Sequence, residues 1–211
     1  MRKTLILIPC CKTKIPGGVA HYDQSSSILN VLSPSVSEKL VELRRALCDT
    51  FGLEPGPDLG YRVKNSRLKY MEAYKRYAGK IYRNISPSSW SKLSRISDLE
   101  LVIVSALYGL INFDEPIRLY NLTMKDRIPG GPLLKTWWKR HLPKILSDYI
   151  LIKGFQAIHD FLSIDYSKAV EGYNELLEEA DTKVIKHTYP KMGTGSNYRR
   201  GEEVNQLIQN F

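Results

Sequence analysis

Leu99-Glu100-Leu101-Val102-Ile103-Val104 is apolar at all but one position, carries three β-branched residues in succession, and runs into Ser105-Ala106-Leu107-Tyr108-Gly109. A run this short, rich in β-branched side chains and broken off by a glycine, reads as a buried strand with a polar and aromatic exit. Upstream, Leu5 to Pro9 is a second apolar run bounded by charge, and it ends at Cys10. Downstream, Ala157 to Leu162 and Lys183 to His187 are two weaker strand candidates.

Helical periodicity fills the gaps between these strands. Ser35 and Glu38 have the capping-box spacing, and Leu40, Leu43, Leu47 and Phe51 follow at helical intervals until Gly52. A second helix is expected over Lys64 to Arg83, and Ser86-Pro87 opens a third that runs through Arg95. Leu133 to Tyr149 reads as a helix that Pro143 can interrupt. Asp165 is placed to cap a helix reaching Ala180, and Tyr198 to Phe211 forms the last. Strands alternating with helices predict an α/β fold with a central mixed, partly parallel sheet flanked by helices, in one domain over residues 1–211. Ligands of such sheets bind beyond the carboxyl ends of the strands. The segments to inspect are therefore 10–14, 105–120, 163–166 and 190–200.

The charge balance favours a polyanionic partner, since 31 Lys+Arg against 22 Asp+Glu leave a net charge of +9. No stretch approaches the roughly 20 apolar residues that cross a bilayer, and the N-terminal apolar run is too short for a secretory signal, so no membrane role and a cytoplasmic location are expected. Three irregularly spaced cysteines make no disulfide framework.

Lys12 and Lys14, just beyond the first strand, can hold a phosphate as point charges, and Cys10 lies beside them. Ser105, Tyr108 and Gly109 offer a turn with a stacking face, although a structural role for Tyr108 is as plausible from the pattern. Asp165, beside Tyr166, is a candidate acid or base, with helix capping the stronger reading. Arg199 and Arg200 form an anion-binding candidate near the end. His21, His141, His159 and His187 are scattered, so no metal site is expected, and neither Gly17-Gly18 nor Gly130-Gly131 has the lysine and hydroxyl of a phosphate-binding loop. No cofactor is expected.

In order and spacing these groups resemble the YaaA family of peroxide stress proteins. The similarity runs through Ile8-Pro9-Cys10-Cys11-Lys12-Thr13-Lys14, Tyr77-Ala78-Gly79-Lys80-Ile81-Tyr82, Ile103 to Leu110, Tyr120-Asn121-Leu122-Thr123-Met124, Phe161 to Val170, and Arg199-Arg200-Gly201. Leu119, Asn121 and Thr123 stand where the family has proline, arginine and glutamate. The resemblance implies protection against oxidative damage, limitation of free iron, and DNA binding through a helix-hairpin-helix-like element. That element is expected in a basic helical insertion over 35–95, with Lys75, Arg76, Lys80 and Arg83 on phosphates, a hairpin at 56–60, and Tyr108 and Tyr120 stacking on bases. The alternative it leaves open is an enzyme acting on a nucleobase or nucleotide, with Lys12 and Asp165 catalytic and a small nucleotide or base as ligand.

Overall fold

The computed structural model describes residues 2–63, 67–177 and 180–211. In chain order, Thr4–Pro9 (β1) leads through a long loop to the helix Pro34–Thr50 (α1). Then come Tyr70–Glu72 (β2) and three short helices, Ala73–Arg76 (α2), Lys80–Arg83 (α3) and Pro87–Leu93 (α4). Leu99–Ser105 (β3), Gly109–Asn112 (β4) and Pro116–Arg118 (β5) precede the helices Leu134–Trp138 (α5) and Leu142–Lys153 (α6). The chain closes with Ala157–Asp160 (β6), Ile164–Ala169 (α7), Lys183–Lys186 (β7) and Ser196–Asn210 (α8).

The main sheet has the order β4-β3-β1-β6-β7. Its four strands β3, β1, β6 and β7 are mutually parallel, and β4 turns back antiparallel on β3. Every residue of β1 is buried, which explains its unbroken apolar run: a central parallel strand is covered on both faces. Edge strand β7 exposes Lys183 and Lys186, charges that keep an open edge from pairing further. The mixed, helix-flanked sheet read from the sequence is therefore present, with its four expected strands side by side.

The β3–β4 hairpin closes through Ala106-Leu107-Tyr108 onto Gly109, whose φ is +76°. A Cβ at Gly109 would also sit 2.9 Å from the Trp138 ring, so both backbone and packing demand glycine. Arg44, fully buried in α1, clamps this turn by donating to the carbonyls of Tyr108 (3.0 Å) and Leu110 (2.8 Å) and pairing with Glu115 at 3.4 Å.

Several local expectations are corrected. α1 begins at Pro34 rather than from a Ser35 cap; Ser33 precedes it and is fixed through its N–H (3.0 Å) and Oγ (3.0 Å) on Asp148. No helix spans the described part of 64–83. There β2 pairs antiparallel with β5, and only the single turns α2 and α3 remain, while Lys64 lies outside the described residues. Residues 57–59 form one 3-10 turn rather than a hairpin. The helix around Pro143 is broken into α5 and α6, as that proline suggested. α7 stops at Ala169, well short of Ala180, and Ser163 rather than Asp165 takes the cap position.

Candidate functional site

In the order β3-β1-β6-β7 the chain leaves β1 toward one side of the sheet and returns from β3 to the other. The switch therefore falls between β1 and β6, where the diverging loops leave a crevice at the carboxyl edge. Cys10 and Tyr166 meet across it, with Sγ and hydroxyl 3.1 Å apart. Three adjoining cavities open around Tyr166. One of about 370 Å³ is lined by Lys12, Asn121, Thr123, Asp126 and Asp165 among others. A second, of about 410 Å³, lies against Cys10, Lys12, Lys80, Arg83 and Asn197. The third, about 1220 Å³, extends under β6 and β7 past Asp160, Tyr173, Lys186 and Arg200.

Lys12, Lys80 and Arg83 thus come together at one cavity, and all three are exposed. None of them has a carboxylate within ion-pair distance among the described residues. Asp165 is differently placed, with Lys135 at 2.5 Å and Lys125 at 3.6 Å. Lys14 turns inward: its Nζ donates to the Cys11 carbonyl at 2.9 Å and lies 4.0 Å from the Tyr120 ring centroid. Burial pushes its pKa below the ordinary lysine value.

Other sequence candidates are structural. Arg76 is fully buried, and its guanidinium is consumed by the carbonyls of Ile15 (2.6 Å), Gly17 (3.0 Å) and Lys69 (3.1 Å), so it presents no charge to a ligand. Lys75 is exposed but bound to Glu72 at 2.7 Å. Arg199 pairs along its own helix with Glu202 and Glu203. Tyr108 is a core residue whose hydroxyl donates to Asp58 at 2.5 Å and accepts from the Arg118 N–H at 3.1 Å. Tyr120 is likewise buried, its hydroxyl bonded to Tyr77 (2.7 Å) and Ser105 (2.9 Å). Neither ring is free to stack on a base. Desolvation drives the Cys11 thiol up to about 11, which leaves it protonated and a poor nucleophile at neutral pH.

Sequence reasoning missed the groups under β6 and β7. Asp160 closes β6 and faces the largest cavity, where burial raises its carboxyl above the usual range. A lone carboxylate inside the apolar run Ala157 to Leu162 was its only trace in the sequence. Tyr173 reaches the same cavity from the turn after α7, within the stretch the sequence predicts as one helix reaching Ala180. Among the described residues no group of three or more His, Cys, Asp and Glu side chains is placed to hold a metal ion. No helix of the described residues is long and apolar enough to cross a membrane.

Fold and crevice define an α/β protein with a cation-rimmed crevice at its switch point. The family model of the peroxide stress protein YaaA matches residues 5–210, nearly the whole chain, and the chain belongs to that family. A search of curated proteins found no match.

Proposed function

We propose that the chain serves the peroxide stress response by binding DNA along the crevice at the carboxyl edge of its sheet. The observation that carries this reading is the convergence of Lys12, from the turn after β1, with Lys80 and Arg83, from α3, on one cavity, with no carboxylate at ion-pair distance among the described residues. Unpaired exposed cations are what phosphate neutralisation needs, because a cation already held by an acid must break that pair first. Binding of duplex and single-stranded DNA is measured against salt concentration. Lys80→Ala and Arg83→Ala each lower the slope of log K against log salt by about 0.9 for duplex DNA. Absence of any binding at low salt refutes the proposal.

The cavity shared by Lys12, Asp165 and Tyr166 favours a second reading, an enzyme acting on a nucleobase or nucleotide. Lys12→Ala that abolishes turnover of modified-base substrates while preserving DNA affinity supports it. Absence of turnover by the unmodified chain counts against it.

A further inference from the structure

Two side chains in the largest cavity are buried without a partner for a polar atom. Arg200 is only 7% exposed and Tyr173 only 2%. Among the described residues neither the Arg200 Nε nor the Tyr173 hydroxyl has a partner in hydrogen-bond geometry, although the Tyr173 hydroxyl lies close enough to the Asp160 carboxyl to feel it. Such groups are costly to bury, and the structure keeps both against the same open volume. Arg200 is fixed rather than loose. Its Nη1 donates to Ser196 Oγ at 3.1 Å and Asn197 Oδ1 at 3.0 Å, and the guanidinium lies 4.7 Å from the Tyr189 ring centroid. The carboxylate nearest along the helix, Glu203, is already committed to Arg199 (2.9 Å), Tyr189 (2.7 Å) and His187 (3.3 Å). A positioned guanidinium is thus left with no carboxylate within ion-pair distance among the described residues, the Asp160 charge acting on it from farther away.

We infer that Arg200 and Tyr173 form a subsite for a phosphate monoester, with the Arg200 Nε–H and the Tyr173 hydroxyl donating to its oxygens. Guanidinium and hydroxyl donors held in place before binding suit a phosphate group, and Lys186 at the rim adds a point charge. The cavity, about 1220 Å³, has room for a whole nucleotide. Asp160 also faces this volume and accepts from the Leu162 N–H at 2.9 Å. Tyr173, Lys186, His187 and Arg200 surround it; burial raises its pKa above the ordinary carboxylate value, while the Leu162 N–H and the Lys186 charge lower it. The monoester could belong to a free mononucleotide or to a nucleic-acid end. The subsite stands on Arg200 and Tyr173 alone, and only the second source rests on the DNA-binding reading above.

Calorimetric titration of the full chain with a deoxynucleoside 5′-monophosphate and with the matching nucleoside tests the subsite. The monophosphate is expected to bind at least tenfold more tightly. Tyr173→Phe removes one hydroxyl from a ring whose packing it preserves, and it reduces that preference by about tenfold while thermal stability confirms the fold. Equal affinity for the two ligands, or an undiminished preference in Tyr173→Phe, overturns the proposal. A second arm compares an oligonucleotide carrying a 5′-phosphate with its 5′-hydroxyl form. Preference for the phosphorylated end assigns the subsite to nucleic-acid ends, and preference confined to the mononucleotide assigns it to the free ligand. Salt-dependent oligonucleotide binding without any monophosphate preference sinks the subsite and leaves DNA binding intact. Monophosphate binding without oligonucleotide binding does the reverse.

Discussion

Replacing Gly201 by alanine separates two opposed effects of known size. In an open helix interior this change stabilises by about 1 kcal/mol, because glycine has more backbone freedom to lose. In α8, however, the added Cβ would lie 2.5 Å from the Ile81 carbonyl oxygen, 2.7 Å from Asn84 Cβ and 3.1 Å from Ile81 Cα. Two of those atoms are backbone, so the overlap cannot be relieved by a rotamer change, and α8 must move off α3. Overpacking of this kind costs about 1–3 kcal/mol. With two contacts under 3.0 Å the upper half of that range applies, so after the propensity gain the net destabilisation is about 1–2 kcal/mol. For a chain of this length that lowers Tm by about 2–8 °C. Gly195→Ala is the control, since nothing lies within 4 Å of its added Cβ and it is expected to be close to neutral. Both are read by thermal and urea denaturation. A Gly201→Ala chain as stable as the parent or more so would refute the close packing of α8 on α3.

Asp58→Ala strands the Arg118 guanidinium, which the carboxylate grips at 2.8 Å and 2.5 Å in the core, and is expected to cost about 3–5 kcal/mol in urea denaturation. Tyr108→Phe removes the hydroxyl that bridges Asp58 and the Arg118 N–H and should cost about 1–3 kcal/mol; a neutral result would mean that the bridge is not formed. Burial, and then the nearby His187, lower the pKa of His159, whose Nδ1 is 3.0 Å from His187 Nε2. The unfolded chain therefore binds a proton there first. Stability present above about pH 6.5 is lost as pH falls from that value through the lower folded pKa. His159→Phe should flatten this slope, leaving the contribution of His141, whose pKa burial also lowers; identical slopes would contradict the assignment.

The strands that were legible in the sequence are those whose burial is uniform. β1 and β3 lie inside the sheet with both faces covered, so their apolar runs announce them. β2 and β5, three residues each, carry too few positions for any period to register, and their pairing depends on a long-range register that local pattern does not encode. Arginine in a basic stretch gives the same ambiguity. Lys75, Arg76, Lys80 and Arg83 look alike as charges, yet Arg76 turns inward to satisfy carbonyls of three separate segments. Tyrosine behaves similarly, because its ring fits a core as well as a binding face and only the partner of its hydroxyl decides. For Tyr108 that partner is Asp58, fifty residues earlier. The convergence of Lys12, Asp165 and Tyr166 followed from strand order and was legible; that of Arg200 with Tyr173 and Asp160 required the true end of α7.

Thr123 stands where the family's segment carries a glutamate, yet the wall of the crevice does not lose its acid. Asp126, three residues on, lines the same cavity and accepts from the Thr123 N–H at 2.6 Å and Oγ1 at 3.1 Å. That carboxylate is bent back on its own turn, so it shapes the wall. Asp165 across the cavity is similarly occupied between Lys135 and Lys125. Asp126 and Asp165 are tied to partners, whereas Lys12, Lys80 and Arg83 have no carboxylate within ion-pair distance among the described residues. A ligand approaching the carboxyl edge therefore meets unneutralised positive charge first, and an acid must abandon a partner before it can exchange a proton with that ligand. Geometry of this kind retains anions more readily than it transfers protons, which is why binding ranks above catalysis for this site.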